Sequence, residues 1–387
     1  MKEILDEIVN NADEWLPLNS FQLRKKLESR FPGLTTENYS WISEAIELST
    51  RLSEKNFPFH FWLSSFQTFE QATNFKIAQF HSRLLSKPNG KILDACAGAG
   101  FDAIAFLNDG NQVTSCELNE SSAKKLNLNR ELYGLSNWKI NQTNCIDENP
   151  KSYSALYFDP MRRMNNKRMV RIEDYSPGIQ EIAKFTKSGI PILIKTSPLL
   201  TITPEIKNEF QMIFVSRHFE CKEILLAKNL IHLPQNSLYF ADHDFHFNLD
   251  NLQDQPNENG KSDLNEFQFI YEPNPALLKS GMVKQAASHF DIVQPSENCG
   301  YFFGNNYDVE HLFRRYQLID NQYYKINKIN KRMNQFSGEI ILKKKNSSFD
   351  LNSIKLGKRK IIDNSKTIFF ITEHEGKTVF WIGKSVD

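Results

Sequence analysis

The chain has 387 residues, 40% of them hydrophobic, which is enough for the cores of two or three globular domains. Its net charge is only +1, so the overall charge of the chain gives no indication of a polyanionic partner. Five cysteines without a Cys-x-x-Cys spacing argue against a disulfide framework or structural zinc, so we predict no metal. The first residues mix charged and apolar side chains. We therefore predict neither secretion nor a membrane span, and a cytoplasmic location.

Helical periodicity with polar faces extends over residues 1–88 and predicts an N-terminal helical segment, whose last helix is Phe69–Phe80. From residue 89 to residue 234, short apolar runs alternate with helix-like stretches. This alternation predicts an α/β fold with a doubly wound, Rossmann-like sheet that helices cover on both faces. The predicted strands include Ile92–Leu93, Val113, Leu156–Phe158, Ile190–Ile194 and Met212–Val215.

The pattern changes after residue 234. Ser237–Asn248 alternates apolar and polar residues and predicts one antiparallel strand, followed by a polar loop. We predict two small α+β domains here, at 235–311 and 312–387, the second with strands at Glu339–Leu342, Thr367–Thr372 and Thr378–Gly383.

Basic residues are concentrated near the end of the chain. Residues 321–387 carry 14 Lys and Arg against 6 Asp and Glu. The clusters Lys343–Lys345 and Lys358–Lys360 lie between strand-like runs, which is typical of a nucleic-acid contact face. The alternative is an ordinary lysine-rich surface.

The run Lys91–Phe106 predicts a buried strand, a glycine turn and a helix start. Gly98 and Gly100 let the backbone turn sharply and come close to a ligand. The spacing also fits the G-x-G-x-x-A pattern of dinucleotide sites, which occurs often by chance.

Asp94, at the tip of the predicted strand, favours one ligand. A carboxylate there would repel the pyrophosphate of a dinucleotide, whereas S-adenosylmethionine brings an ammonium and a sulfonium. Glu117 follows the next strand, about 20 residues past the turn, where a carboxylate accepts hydrogen bonds from ribose hydroxyls. Because both ligands need that contact, an NAD(P)-dependent oxidoreductase stays an alternative, as does a core that binds no nucleotide.

Asp159 ends the apolar strand Leu156–Phe158, and Pro160 stiffens the turn after it. Lys195 follows another apolar run and is expected at the same edge of the sheet. Methyl transfer from a sulfonium is an in-line displacement that depends on positioning at this edge. Asp159 could instead cap a helix, Lys195 could be exposed, and Arg162 and Arg163 could pair with Glu173 or Asp174.

These features resemble class I S-adenosylmethionine-dependent methyltransferases, and a narrower resemblance is to the bacterial group with a C-terminal THUMP-like domain. The narrower resemblance covers most of the chain, including its tail from about Ile340. Its motifs are Ala155–Arg163, Arg171–Pro177, Ile194–Leu199, Glu220–Glu223 and Tyr271–Gly281.

The resemblance implies a methyltransferase domain at 89–234, a ferredoxin-like domain at 235–311, a THUMP-like domain at 312–387, and RNA as the substrate and partner. Asn144 or Asp147 would contact adenine, and Gln71, with Thr73, would close over the cofactor. The predicted cofactor residues are Asp94, Ala95, Gly98, Gly100, Glu117, Asn144, Asp147 and Gln71, and the predicted catalytic residues are Asp159, Pro160, Arg162 and Lys195.

The resemblance is incomplete at the acceptor motif. Related amino-methyltransferases carry Asp/Asn-Pro-Pro-aromatic, whereas this chain has Met161 for the second proline and Arg162 for the aromatic residue. A guanidinium can itself lie on a base or bind phosphate. A noncatalytic RNA-binding protein on a methyltransferase scaffold is the remaining alternative.

Overall fold

The computed structural model describes residues 1–164, 167–252, 264–320, 326–354 and 364–386. The chain divides into two compact units. The first comprises Met1–Ile213 and Glu223–Leu233, and the second Phe214–Lys222 and Pro234–Asp387. Among the described residues, no helix has the length and apolar character needed to cross a membrane.

Ten helices are described in the first unit. Asn19 and Thr35 start two of them by accepting hydrogen bonds from backbone N–H groups of the first turn, which is the usual role of a cap. The helices are α1 (Lys2–Asn10), α2 (Ala12–Trp15), α3 (Ser20–Arg30), α4 (Thr36–Ser49), α5 (Phe66–Gln71), α6 (Phe75–Leu85), α7 (Phe101–Asn108), α8 (Glu120–Leu132), α9 (Ala183–Thr186) and α10 (Pro204–Glu209).

The N-terminal helices bury an apolar core that includes Leu5, Trp15 and Trp41, against which Leu128 and Leu132 of α8 also pack. They belong to the same compact unit as the sheet. The periodicity of the first 88 residues is therefore confirmed as helical.

The predicted helix over Phe69–Phe80 is wrong as a single element. The chain breaks between α5 and α6, because Ala72 is extended and the Asn74 side chain accepts a hydrogen bond from the backbone N–H of Lys76 to start a new helix. Thr73 lies in this break and is buried, with 6% of its surface exposed.

The central sheet of the first unit confirms the doubly wound α/β prediction. Six strands of this sheet lie wholly or largely in the first unit, in the order β9-β7-β4-β1-β2-β3, with parallel pairing except for β9, which is antiparallel to β7. A two-stranded ribbon, β5-β6, follows β4. The strands are β1 (Lys91–Asp94), β2 (Gln112–Cys116), β3 (Trp138–Asn141), β4 (Ala155–Phe158), β5 (Arg163–Met164), β6 (Lys167–Arg168), β7 (Ile192–Thr196), β8 (Gln211–Arg217) and β9 (Glu220–Lys228).

The glycine turn after β1 requires two residues with positive φ, Gly98 at 53° and Gly100 at 80°. The turn is also held from the N-terminal side, because Trp62 donates its indole N–H to the carbonyl of Ala99 at 2.8 Å. The Asn129 side chain in turn bonds both backbone groups of Leu63. The segment before α5 and the turn after β1 are therefore fixed against each other.

We expect Gly100→Ala to destabilise the protein by about 2–4 kcal/mol, through a left-handed backbone and overpacking. A Cβ at this position would lie 2.9 Å from both Leu126 Cδ2 and Trp138 Cη2. Gly110→Ala is the matched control, because Gly110 also has a φ of 80° but no atom lies within 4 Å of its Cβ position. Chemical denaturation measures both; equal losses would show that packing around Gly100 does not matter.

The second unit contains an antiparallel hairpin and a six-stranded sheet of order β13-β12-β14-β17-β16-β15. Its strands are β10 (Asn236–Phe240), β11 (Phe245–Asn248), β12 (Phe269–Pro273), β13 (Phe302–Gly304), β14 (Phe313–Asp320), β15 (Glu339–Lys344), β16 (Lys366–His374) and β17 (Lys377–Ser385). Its helices are α11 (Pro275–Ser280), α12 (Val283–His289) and α13 (Ile326–Met333).

The single strand predicted over Ser237–Asn248 is wrong: a turn at residues 241–244 divides it into the hairpin β10-β11, with Asp244 at a φ of 49°. The three predicted C-terminal strands are confirmed as β15, β16 and β17. Strands from both sides of the predicted boundary at residue 311 share the six-stranded sheet, since β14 pairs with β12 and β17. The four-part division, with ferredoxin-like and THUMP-like domains, stays a prediction.

Seven short 3-10 helices complete the described secondary structure. They span Leu52–Lys55, Cys145–Asp147, Pro150–Ser152, Ile172–Asp174, Leu249–Asn251, Leu264–Glu266 and Leu351–Ser353.

Candidate active site

Asp94 lies at the carboxyl end of β1 and is 1% exposed. The hydroxyl of Ser115 donates to its Oδ2 at 2.7 Å, and the Trp138 indole donates to that hydroxyl at 2.9 Å. Burial raises the pKa of the Asp94 carboxyl to about 8, and the charges of Asp102, Asp159 and Glu117 contribute to the increase. A cationic ligand next to Asp94 would relieve this repulsion.

Glu117 follows β2 and folds back onto the glycine turn. Its carboxylate accepts hydrogen bonds from the backbone N–H groups of Gly98 at 3.1 Å and Asn119 at 2.8 Å. Beside the turn, a Cβ on Gly98 would be in ordinary van der Waals contact with Thr68, at 3.8 Å. A carboxylate and the glycine backbone therefore meet at one sheet edge.

The other predicted cofactor residues differ from Asp94 and Glu117 in their contacts and exposure. Ala95 is buried, and its N–H donates to the carbonyl of Tyr157 at 2.9 Å. The Asn144 side chain caps the turn that contains Asp147 by accepting from the N–H of Ile146, while Asp147 is exposed. Gln71 is exposed at the end of α5.

Asp159, just beyond β4, meets Lys195 of β7 at the same sheet edge. Lys195 Nζ donates to Asp159 Oδ2 at 2.7 Å, and Arg162 donates to Oδ1 at 3.3 Å. No helix starts at Asp159, so the capping alternative is wrong, and Lys195 is 3% exposed rather than exposed at a strand end. Pro160 is buried.

Arg162 pairs with Asp159, whereas Arg171 is the residue that contacts Glu173, at 3.7 Å. The ion pair of Arg162 with Asp159 thus differs from the predicted pair with Glu173 or Asp174. The side chain of Arg163 lies outside the described residues. The carboxylate of Asp159 is therefore held by one cation on each oxygen.

Behind Asp159, a continuous series of hydrogen bonds extends through the interior of the first unit. Thr73 Oγ1 accepts from Lys195 and donates to Asp102 Oδ2, each at 2.7 Å. The ring of His81 contacts Asp102 Oδ1 at 2.8 Å through Nδ1 and Glu223 Oε1 at 2.6 Å through Nε2. We call this set the buried charge network: Glu223, His81, Asp102, Thr73, Lys195, Asp159 and Arg162.

Opposite charges within the buried charge network offset the cost of burial. Burial lowers the pKa of His81, but the Glu223 and Asp102 carboxylates outweigh burial and raise it to about 9. Burial also lowers the pKa of Lys195, and Asp159 and Glu223 reverse that effect. The pKa values of Asp102 and Glu223 are lowered, because contacts with cations outweigh the burial that raises them. Each charge is stabilised by its neighbours.

Sequence reasoning missed His81 and Asp102 and did not assign Glu223 a partner. The sequence nevertheless contains a feature that could have identified each of these three residues as buried and charged. His81 and Asp102 are ionisable residues within otherwise apolar helix faces, of α6 and α7, and Glu223 starts the buried part of β9. A buried ionisable side chain needs a partner of opposite charge.

In the second unit, the predicted basic cluster on β15 is engaged by neighbouring groups. Lys343 and Lys345 both pair with the buried carboxylate of Glu272, the latter at 3.2 Å. Lys344 donates to the carbonyl of Phe349 at 3.0 Å. The other cluster, Lys358–Lys360, lies outside the described residues.

Comparison with known proteins gives one family match, over residues 89–171, to the family described as RNA cap guanine-N2 methyltransferase. No curated protein matches the chain. Among solved structures, a "putative methyltransferase" from Porphyromonas gingivalis W83 aligns with 100% of this chain and 99% of its own length, with a TM-score of 0.75 and 17% identity. TehB from Haemophilus influenzae covers 41% of this chain and 63% of its own, with 18% identity and a TM-score of 0.29.

The residues present fit S-adenosylmethionine. A buried acidic side chain with negative charges around it, Asp94, directly precedes the glycine turn, onto which a second acidic side chain, Glu117, folds back. This arrangement suits a cationic nucleoside and disfavours the pyrophosphate of the oxidoreductase alternative. Together with the sheet order and the family match over residues 89–171, these features indicate an S-adenosylmethionine-dependent methyltransferase, with S-adenosylmethionine as its cofactor.

Proposed function

We propose that the protein methylates RNA, by direct in-line transfer to a nitrogen of a base. The observation that carries the proposal is the family match over 89–171, whose description names RNA and the N2 atom of guanine. That range includes both the glycine turn and Asp159 with Arg162, so it covers the cofactor edge and the acceptor edge together.

In this proposal, S-adenosylmethionine supplies the activated methyl group, and the chain binds and orients it. Asp94 balances the cationic end, and Glu117 accepts hydrogen bonds from the ribose. The Gly98 and Gly100 backbone, with Ala95, gives close approach. Three further residues belong to the proposed cofactor site: Asn144 or Asp147 beside the adenine, and Gln71 over the cofactor.

Asp159 is the proposed contact for the acceptor nitrogen. Each carboxylate oxygen uses one lone pair for Lys195 or Arg162, which leaves others for an acceptor N–H. Pro160 stiffens the turn that presents it, and Arg162, 22% exposed, is placed to contact a base or phosphate. These four are the proposed catalytic residues. Positioning, rather than a covalent intermediate, is the source of rate here.

We expect the affinity for S-adenosylmethionine to increase about tenfold from pH 6 to pH 7 and to level off above pH 8. The free protein must lose the proton on Asp94, whose pKa is raised to about 8, before that carboxylate can balance a cation. Cofactor binding should therefore release close to one proton at pH 7. Calorimetry in two buffers of different ionisation enthalpy measures both quantities.

Asp94→Asn is the control for this pH dependence, because an amide does not ionise. The variant should bind weakly and with an affinity that no longer follows pH between 6 and 8. A slope that persists in Asp94→Asn would assign the titration to another group.

Incubation with methyl-labelled S-adenosylmethionine and separate pools of RNA, protein and small molecules tests the substrate. Label in RNA, located on a base nitrogen after nuclease digestion, is the expected result. Label only in protein or small molecules would contradict RNA as the substrate. Cofactor binding without any transfer would favour the noncatalytic RNA-binding alternative.

The excess of basic residues in 321–387 supports an RNA contact in the second unit, within the proposed THUMP-like domain. The pairing of Lys343 and Lys345 with Glu272 reduces the share that this cluster can contribute. A cytoplasmic location remains part of the proposal.

A further inference from the structure

We propose that His81 is an imidazolium that acts as a positioning residue for methyl transfer: through Asp102, Thr73 and Lys195, it fixes the carboxylate of Asp159. His81 lies behind the acceptor edge, is 0% exposed, and cannot reach solvent or substrate directly. The inference rests on the proposed role of Asp159, and it assigns the buried charge network a function beyond holding the fold together.

The protonation of His81 follows from the geometry of its two contacts. A neutral imidazole has one N–H, so only one of its nitrogens can donate. Both ring nitrogens of His81 face a carboxylate oxygen, at 2.8 and 2.6 Å. An unprotonated nitrogen in either place would direct its lone pair at a carboxylate oxygen. Donation to both carboxylates requires the imidazolium form.

Charge balance gives the same answer independently. The buried charge network contains three carboxylates, Asp102, Asp159 and Glu223, and two cations that are always charged near neutral pH, Lys195 and Arg162. The pKa values of Asp102 and Glu223 are lowered, so both are ionised, and with all three carboxylates ionised the network is neutral only when His81 carries the third positive charge. An unpaired charge in the interior is costly, so the balanced form is favoured.

The hydrogen bonds have consistent directions from His81 to Asp159. His81 and Thr73 both donate to Asp102, one to each oxygen. The Thr73 hydroxyl, with its hydrogen directed at Asp102, offers a lone pair to Lys195. Lys195 is then oriented to donate to Asp159 Oδ2. Loss of the His81 charge would weaken its hydrogen bond to Asp102. Asp102 would then no longer orient the Thr73 hydroxyl, and Lys195 would lose its fixed position.

The groups facing His81 account for its expected titration. They are Asp102, Glu223 and the hydroxyl of Tyr157, which lies 3.3 Å from Nδ1, farther than Asp102. Glu223 and Asp102 together hold the pKa of His81 at about 9, against the effect of burial. Turnover should therefore fall as the pH rises past about 9, when the imidazolium is lost. Removing the Glu223 charge should move that fall to a lower pH.

Nitrogen NMR of the histidine rings in the full-length protein tests the protonation directly. His81 can be assigned by its contact with the Tyr157 ring, whose centroid is 5.5 Å away. Hydrogens on both ring nitrogens at pH 7.5 are the expected result. A ring with a single N–H at that pH would overturn the proposal, and this measurement needs no substrate and no variant.

Kinetics with labelled S-adenosylmethionine test the positioning role. His81→Gln should lower kcat at least tenfold and leave cofactor affinity within about twofold. His81→Gln combined with Glu223→Gln restores a neutral network and should recover most of the lost kcat. Glu223→Gln alone should shift the alkaline fall in turnover to lower pH, which a purely structural role would not do. His218→Gln is the matched control, an exposed histidine 3.2 Å from Asp242.

Full kcat in His81→Gln would overturn the proposal, and so would a folded double variant that stays as slow as the single one. If His81→Gln does not fold, the double variant and the NMR measurement decide. If the wild-type protein labels no pool, the proposed function fails, whereas the protonation of His81 is still decided by NMR.

Discussion

Replacement of Asp159 by Asn should lower methyl transfer by about 100-fold or more while cofactor affinity changes little. The Asp159 carboxylate is held by Lys195 at 2.7 Å and by Arg162 at 3.3 Å, so it is fixed where an acceptor nitrogen would approach. An amide of the same shape directs its NH2 group at one of these two cations and loses the charge that orients the acceptor. Label transfer to RNA measures the rate, and calorimetry measures S-adenosylmethionine binding.

Asp174→Asn is the control for this experiment, because Asp174 is exposed, lies nearby in the chain and changes the net charge equally. It should leave turnover unchanged. If Asp159→Asn lost cofactor binding and folding stability in parallel with turnover, Asp159 would be a structural residue rather than the acceptor contact.

Glu117→Ala should weaken S-adenosylmethionine binding by about 10- to 100-fold, since hydrogen bonds to a charged group contribute about 1.5–3 kcal/mol. The carboxylate already accepts from the Gly98 and Asn119 backbones, so its removal also loosens the glycine turn. Calorimetry measures the affinity. Thermal unfolding of the cofactor-free protein separates the loss of the turn from the loss of the ligand contact.

Glu120→Ala is the matched control for Glu117. Glu120 lies three residues further on, is exposed in the first turn of α8, and pairs with Lys124 at 2.7 Å. Its removal should change cofactor affinity less than about twofold. An equal effect of the two substitutions would contradict a direct role of Glu117 at the ribose.

Local pattern was sufficient for the α/β class and the glycine turn. The turn needs residues that tolerate positive φ. Because Gly98 and Gly100 lie two positions apart, this requirement is visible in the local sequence. The meeting of Asp159 with Lys195 was also predictable, because parallel strands present their carboxyl ends at one edge. These features depend on periodicity and on sheet geometry, which apply to any sequence of this kind.

Errors in the sequence-based elements arose where a side chain interrupts a pattern. Asn74 starts a new helix within the periodicity of Phe69–Phe80, and the turn at Asp244 divides an alternating run into two strands. Both interruptions are short-range and polar, so the apolar periodicity on either side conceals them. The first of them places Thr73 in the buried charge network, between Asp102 and Lys195.

The sequence by itself determined the fold class, the glycine turn and the meeting of Asp159 with Lys195, because each depends on contacts between neighbouring residues or neighbouring strands. Only the tertiary structure decided the buried charge network. His81 and Glu223 are 142 positions apart, and Thr73 and Lys195 are 122 apart. An ionisable residue in an apolar sequence pattern indicates that a partner of opposite charge is needed. Which residue is the partner depends on how α6, α7 and β9 pack, and this packing cannot be inferred from spacing along the chain.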